Sequence, residues 1–189
     1  MQTQKEEIRN KILAAAKEEF LNAGYRRASM RAIAERAGIT PGNIYAYFLG
    51  KEDLLDQVVS PTMEALGRMI REASRGAQMN EPSVKELADR VTEVFLSNRT
   101  QFLILMNGAE GSRYENTRQQ ITAFVTERVE EEMLPKLPAG MQGSLLAETL
   151  SQSILSGIFY LFEHYDGDEE TLRRTLGDFL LLILGGVGA

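Results

Sequence analysis

The chain has 189 residues, a formal net charge of −6, one histidine and no cysteine. That composition excludes a disulfide framework and a thiolate metal site, and it argues against a histidine-rich metal centre. With 43% hydrophobic residues the chain reads as a soluble globular protein, sized for one small N-terminal unit and a larger body.

The first ten residues, MQTQKEEIRN, are polar and lack the apolar stretch of a signal peptide. The longest apolar run, Phe179 to Leu184, is far too short to span a bilayer. Both features point to the cytoplasm and away from a membrane. Ile8, Ile12, Ala16 and Phe20 then recur every four residues, which predicts an amphipathic helix ending near Asn22-Ala23-Gly24.

Met30 to Phe48, MRAIAERAGITPGNIYAYF, is the most informative stretch. Ser29 is placed to cap a helix carrying Ala32, Ile33 and Ala37. Gly38 sits where the chain must turn, a position that favours φ above zero. Thr40 followed by Pro41 predicts the start of a second helix, with a hydroxyl cap and then proline at the first helical position. Ile44 and Phe48 give that helix a buried stripe. Thr40, Asn43, Tyr45 and Tyr47 point elsewhere, with short or planar hydrogen-bonding side chains suited to phosphates and base edges. The pattern is that of a helix-turn-helix DNA reader, although any helical hairpin can show a glycine turn and two apolar stripes.

A long helix is expected from about Lys51 to Arg75. Pro61 falls inside it and predicts a kink or break, either a simple bend or a hinge that transmits ligand binding to the DNA-reading head. Gly76 to Pro82 reads as a polar linker, and Ser83 with Glu86 as a capping box. The helix so opened carries Val84, Leu87, Val91, Val94 and Phe95. A short apolar segment, Phe102 to Met106, precedes a loop from Asn107 to Ser112. Further helices are expected at about 113–133, ended by Pro135 and Pro138, and at 141–164 and 168–184. Asp168, Glu169 and Glu170 suit a helix N-terminus. No strand alternation, internal repeat or low-complexity tract is visible.

The last two helices carry broad apolar and small-residue faces. Leu146, Leu150, Ile154, Gly157, Leu161, Leu176, Phe179 and Ile183 are the expected dimer interface, in a four-helix bundle built from two protomers. The alternative is burial of the same faces within one chain. A dimer is what helix-turn-helix readout requires, because two readers must enter major grooves about 34–36 Å apart. Phe95, Phe102, Met106, Tyr114, Phe124, Arg128 and Tyr160 are candidates to line a pocket for a small apolar or amphipathic ligand. Aromatic residues at helical spacing are also ordinary core, and Arg128 among Glu127, Glu130, Glu131 and Glu132 reads by default as an exposed ion pair. His164 reads as a surface or capped residue.

Gly24-Tyr25, Ser29 through Ala34, Ala37 through Tyr45, Tyr47-Phe48 and Lys51 through Leu55 together resemble the N-terminal domain of the TetR family of repressors. The resemblance covers about the first third of the chain. It implies an all-α homodimer: a three-helix helix-turn-helix DNA-binding domain over residues 1–52 and a helical ligand-binding and dimerisation domain over residues 53–189. It also implies a double-stranded DNA operator as partner, no cofactor, and release by a small ligand. Carried over by position, Thr40, Pro41, Gly42 and Asn43 match contact residues of the reader, Tyr45 a phosphate-contacting tyrosine, and Tyr47 a position where histidine is common. Lys51 matches a backbone-approaching lysine. Arg31 is a further phosphate candidate, and Ser29 joins the set as the cap. Ala28 replaces a usual threonine and Gly50 a usual serine cap, while Ala46 is small and limits direct base reading there.

Charge distribution fits this expectation. Residues 1–52 carry nine Lys/Arg against six Asp/Glu, and residues 53–189 carry twelve against twenty-one. A locally basic head attracts phosphates, whereas an acidic body disfavours nonspecific binding. No nucleophile–base pairing, phosphate loop or metal-ligand spacing suggests an enzyme. The competing function is a DNA-binding regulator controlled by a protein partner, or constitutive.

Overall fold

A computed structural model of the protein describes residues 2–72 and 81–184. Among these residues there are helices and turns but no strand. In chain order the helices are α1 (Gln2–Arg27), α2 (Met30–Arg36), α3 (Lys51–Glu72), α4 (Glu81–Ser97), α5 (Arg99–Leu103), α6 (Thr117–Arg128), α7 (Ser144–Glu163) and α8 (Glu169–Leu184). Two compact units result, one of residues 1–66 and 98–118, the other of residues 67–97 and 119–189. The division therefore does not fall after residue 52. The start of α3 and the 98–118 segment join the first unit, because α5 and the turn after it pack on α1.

In the first unit, Ile12, Ala16 and Phe20 form the buried stripe of α1, and Ile33, Ala34, Ile44, Phe48, Leu54, Leu55, Val58 and Val59 close over it. Gly24 leaves helical geometry at φ 72°, so α1 proper ends where its apolar repeat ends. A wide π turn, Ile104–Gly108, follows α5 and packs against α1. Gly108 approaches so closely that a Cβ there would lie 3.2 Å from the Phe20 carbonyl oxygen.

Pro61 does not break its helix: α3 runs from Lys51 through it to Glu72. Proline inside a helix costs about 3 kcal/mol. Leu54, Leu55, Val58 and Val59, just before it, are each almost wholly buried, and each such side chain gains about 1.5–3 kcal/mol on burial. Burial outweighs the lost backbone bond.

In the second unit, α8 packs on α4 and α7, and α7 also packs on a second π turn, Val129–Met133. Phe95 stacks on Phe162, ring centroids 3.9 Å apart, with Tyr165 edge-on at 5.9 Å. Leu172, Leu176 and Leu180 of α8 are buried here. Three expected boundaries shift. Glu81 and Pro82 already belong to α4, so Ser83 lies inside the helix and is not its cap; the rest of that expected linker lies outside the described residues. The helix expected from residue 113 begins at Thr117, after a run of turns, and widens into the π turn beyond Arg128. The helix expected from residue 141 begins at Ser144. By length and composition α7 is apolar enough to cross a membrane. Here it gives Ala147, Ile154, Ile158 and Phe162 to the core and exposes Glu148, Gln152 and Ser156.

Candidate nucleic-acid interface

The site is built from the Ser29–Lys51 segment. Ser29 Oγ accepts the Ala32 N–H at 3.1 Å, capping α2. At the other end the Gly38 N–H donates to the Glu35 carbonyl at 3.1 Å and the Ile39 N–H to the Ala34 carbonyl at 3.0 Å. This is the paired closure that a left-handed glycine permits, and Gly38 has φ 71°.

The expected second helix is shorter than its apolar stripe suggested. Thr40 to Gly42 form a turn in which the Asn43 N–H donates to the Thr40 carbonyl at 3.0 Å, and Asn43–Ala46 is one 3₁₀ turn. Thr40 gives this turn no side-chain cap, because Gly42 holds the cap position. Pro41 and Gly42 in succession explain the shortening, since both are poor helix residues beyond the first helical position. The burial pattern is nonetheless the expected one. Ile44 and Phe48 are buried, and the Phe48 N–H donates to the Ile44 carbonyl at 3.1 Å. Thr40, Pro41, Gly42, Asn43 and Tyr45 are exposed, Tyr45 by 57%, and Tyr47 is half-buried. The apolar stripe anchors the turn and leaves a contiguous polar and aromatic outer face.

The missing serine before Lys51 is replaced from inside the next helix. Asp53 Oδ2 accepts the Leu49 N–H at 2.8 Å, so a carboxylate one turn into α3 satisfies an amide ahead of it. Arg31 is exposed and pairs with Glu35 at 2.9 Å. The Lys51 ammonium is directed inward, to backbone carbonyls at the end of α1 and just beyond it.

Sequence reasoning did not find the group that borders this segment. The Tyr25 hydroxyl donates to Glu52 Oε2 at 2.5 Å. Burial, and then the Glu52 carboxylate, push the Tyr25 phenol up to about 12. Glu52 Oε1 accepts the Arg113 N–H at 3.1 Å, and the Arg113 guanidinium pairs with Asp56 at 2.5 Å. Arg26 pairs with Glu110 at 2.7 Å. The turns at 109–116 are thus fastened to α1 and α3. No periodicity relates Glu52 to Arg113, 61 residues apart.

The expected ligand-lining residues are divided between the two units. Phe102, Met106 and Tyr114 belong to the first unit; Phe95, Phe124, Arg128 and Tyr160 belong to the second. Phe95 is core, stacked on Phe162, and Tyr160 is exposed and stacked on His164 at 4.0 Å. Arg128 pairs with Glu132 at 2.7 Å, the two side chains only 14% and 7% exposed, so this is not the surface pair its neighbours suggested. His164 is exposed at the end of α7, as expected.

Of the expected dimer residues, Ile154 and Leu176 are already buried within the protomer. Leu146, Leu150, Gly157, Leu161, Phe179 and Ile183 are half-buried. Gly157 receives the Phe179 ring of its own chain, so its small size serves packing of α7 on α8.

The family model for bacterial regulatory proteins of the tetR family matches residues 12–58, the whole of the reader and its supports. Over 99% of its length the chain is 28% identical to the HTH-type transcriptional regulator UidR of Escherichia coli, covering 96% of that protein. A transcriptional regulator from Aquifex aeolicus VF5 superposes with a TM-score of 0.64 at 23% identity, covering 93% of this chain and 99% of the other. NalD, the secondary repressor of the MexAB-OprM multidrug efflux pump in Pseudomonas aeruginosa, superposes with a TM-score of 0.58 at 23% identity, covering 97% and 96%. The two structural likenesses show a shared fold.

Proposed function

We propose, from the tetR-family match over residues 12–58 and the likeness to UidR along the whole chain, that the protein is a TetR-family DNA-binding transcriptional regulator: a repressor that binds a palindromic operator as a homodimer and is released by a small apolar or amphipathic molecule. The observation that carries this reading is the outer face of the 40–47 segment, exposed over a buried Ile44–Phe48 anchor. Asn43 and Thr40 are the base-edge candidates, Tyr45 the phosphate candidate and Tyr47 a further contact candidate. The repressor role is part of the proposal; NalD, a secondary repressor, shares the fold.

The dimer surface in this reading is what remains open on α7 and α8. Leu145 is 75% exposed and Leu182 82%, flanked by the half-buried Leu146, Leu150, Leu161 and Ile183. Thr149 and Ser153 lie on the same face with hydroxyls already bonded to the Leu145 and Thr149 carbonyls, so burying them orphans no donor. Release requires two dimer shapes, one matching groove spacing and one not, and a ligand that binds the second better.

The test is a gel shift across a salt series with duplex DNA from upstream of the protein's own coding region, followed by random-sequence selection. The expected result is a discrete, salt-dependent complex of two chains per site. Asn43→Ala alters sequence preference, and Tyr45→Phe weakens binding evenly across sequences. A folded protein that selects no sequence in either experiment overturns the reading.

A further inference from the structure

The Lys51 ammonium has three N–H donors. It lies 2.8 Å from the carbonyl oxygen of Tyr25, 3.0 Å from that of Ala28 and 3.5 Å from that of Arg26. These carbonyls belong to the Tyr25–Arg27 turn that follows the kink at Gly24 and to the residue before the Ser29 cap of α2, where a helix end leaves acceptors over. The same ammonium sits 4.4 Å from the centre of the Tyr25 ring, a cation–π arrangement. Tyr25 is in turn held by Glu52, the neighbour of Lys51, through its hydroxyl. The result is a closed circuit, Lys51 to Tyr25 to Glu52, at the point where α1 ends, α2 begins and α3 leaves the reader.

From this geometry we infer that Lys51 is a positioning residue that fixes the reader between α1 and α3, and that its charge is spent inside the head rather than on a DNA phosphate. Reaching a phosphate would require the ammonium to abandon charge-assisted bonds to the carbonyls and its seat on the ring. The inference rests on the DNA-binding reading above. It assigns Lys51 a different role from the backbone contact that position alone implies, and the two roles leave different signatures. A phosphate contact releases counterions, so its removal lowers the slope of log affinity against log salt by about 0.9. A positioning residue changes affinity and leaves the slope alone.

The experiment compares wild type, Lys51→Met and Lys51→Arg on the duplex that wild type recovers by random-sequence selection. Affinities are corrected for the folded fraction of each protein, measured by circular dichroism and stoichiometric titration. The expected result for Lys51→Met is an affinity about tenfold lower at every salt concentration, the scale of lost charge-assisted bonds, with an unchanged slope. Arginine at the same position, which keeps the charge but not the compact three-donor geometry, leaves a deficit. A slope reduced by about 0.9 overturns the inference, as does an unchanged affinity of the folded variant. A second measurement needs neither DNA nor a variant. In reductive methylation of the free wild-type protein Lys51 reacts last among Lys5, Lys11 and Lys51, since the other two are exposed. Equal rates overturn the inference even if no operator is found, so its failure is separable from failure of the DNA-binding reading.

Discussion

Gly157→Ala is the sharpest test of the packing in the second unit, because two ordinary arguments give opposite signs. Helix propensity says the substitution stabilises: glycine inside a helix costs about 0.5–1 kcal/mol relative to alanine. The packing says otherwise. A Cβ on Gly157 would lie 2.2, 2.7 and 2.9 Å from Cζ, Cε1 and Cε2 of Phe179, where carbon atoms at rest stand about 3.5–4.0 Å apart. The ring has to leave its seat, and forced rearrangements of this kind cost about 1–3 kcal/mol. The difference is a net loss of up to about 2.5 kcal/mol. Urea unfolding at one fixed protein concentration measures it, since association would shift the midpoint. On a Phe179→Ala background the clash is gone, and the same Gly157→Ala change should gain the propensity increment. The resulting coupling of about 1–3 kcal/mol identifies the pair as the cause. An increase in stability from Gly157→Ala alone would refute the reasoning.

Three further outcomes are expected. Gly38→Ala meets no atom within 4 Å, so its cost is the left-handed backbone alone; a loss of about 1–2 kcal/mol in urea unfolding is predicted, together with weaker duplex binding. Phe95→Ala removes the ring stacked on Phe162 in a filled core and should cost about 3–5 kcal/mol by the same assay. Asp168 caps α8, and hydrogen bonds from the Thr171 hydroxyl and N–H hold its carboxyl below the usual 3.8. Its folded value is the lower one, so its stabilisation is present above pH 3.8 and lost as pH falls through the folded value. Urea midpoints of wild type and Asp168→Ala should therefore differ at neutral pH and converge in acid.

The head was legible in the sequence because its signals are local. Ser29, Gly38 and the Ile12–Phe20 repeat each act within one or two turns, and each does in the structure what its chemistry requires. The reader itself was less legible: proline and glycine at 41 and 42 stop it from extending, a local effect masked by the stripe of Ile44 and Phe48. Of the kink or break expected at Pro61, the break is absent because its cost is met by burial of residues around it, which spacing cannot weigh. The Glu52–Arg113 link and the partition of α7 and α8 between protomer core and open face were illegible for one reason. Both depend on which distant segment arrives on a given face, and one sequence does not carry that.

The brevity of the 3₁₀ turn at Asn43–Ala46 has a statistical consequence. A reader of this size addresses about four base pairs, a word that recurs by chance about once in 256 positions, among about 10⁶ or more competing ones. In the proposed dimer, two symmetric copies would square those odds and still leave many false addresses in a genome. On that proposal the remaining discrimination would come from base pairs that no side chain touches, through how easily the intervening duplex bends and twists to bring both half-words into register.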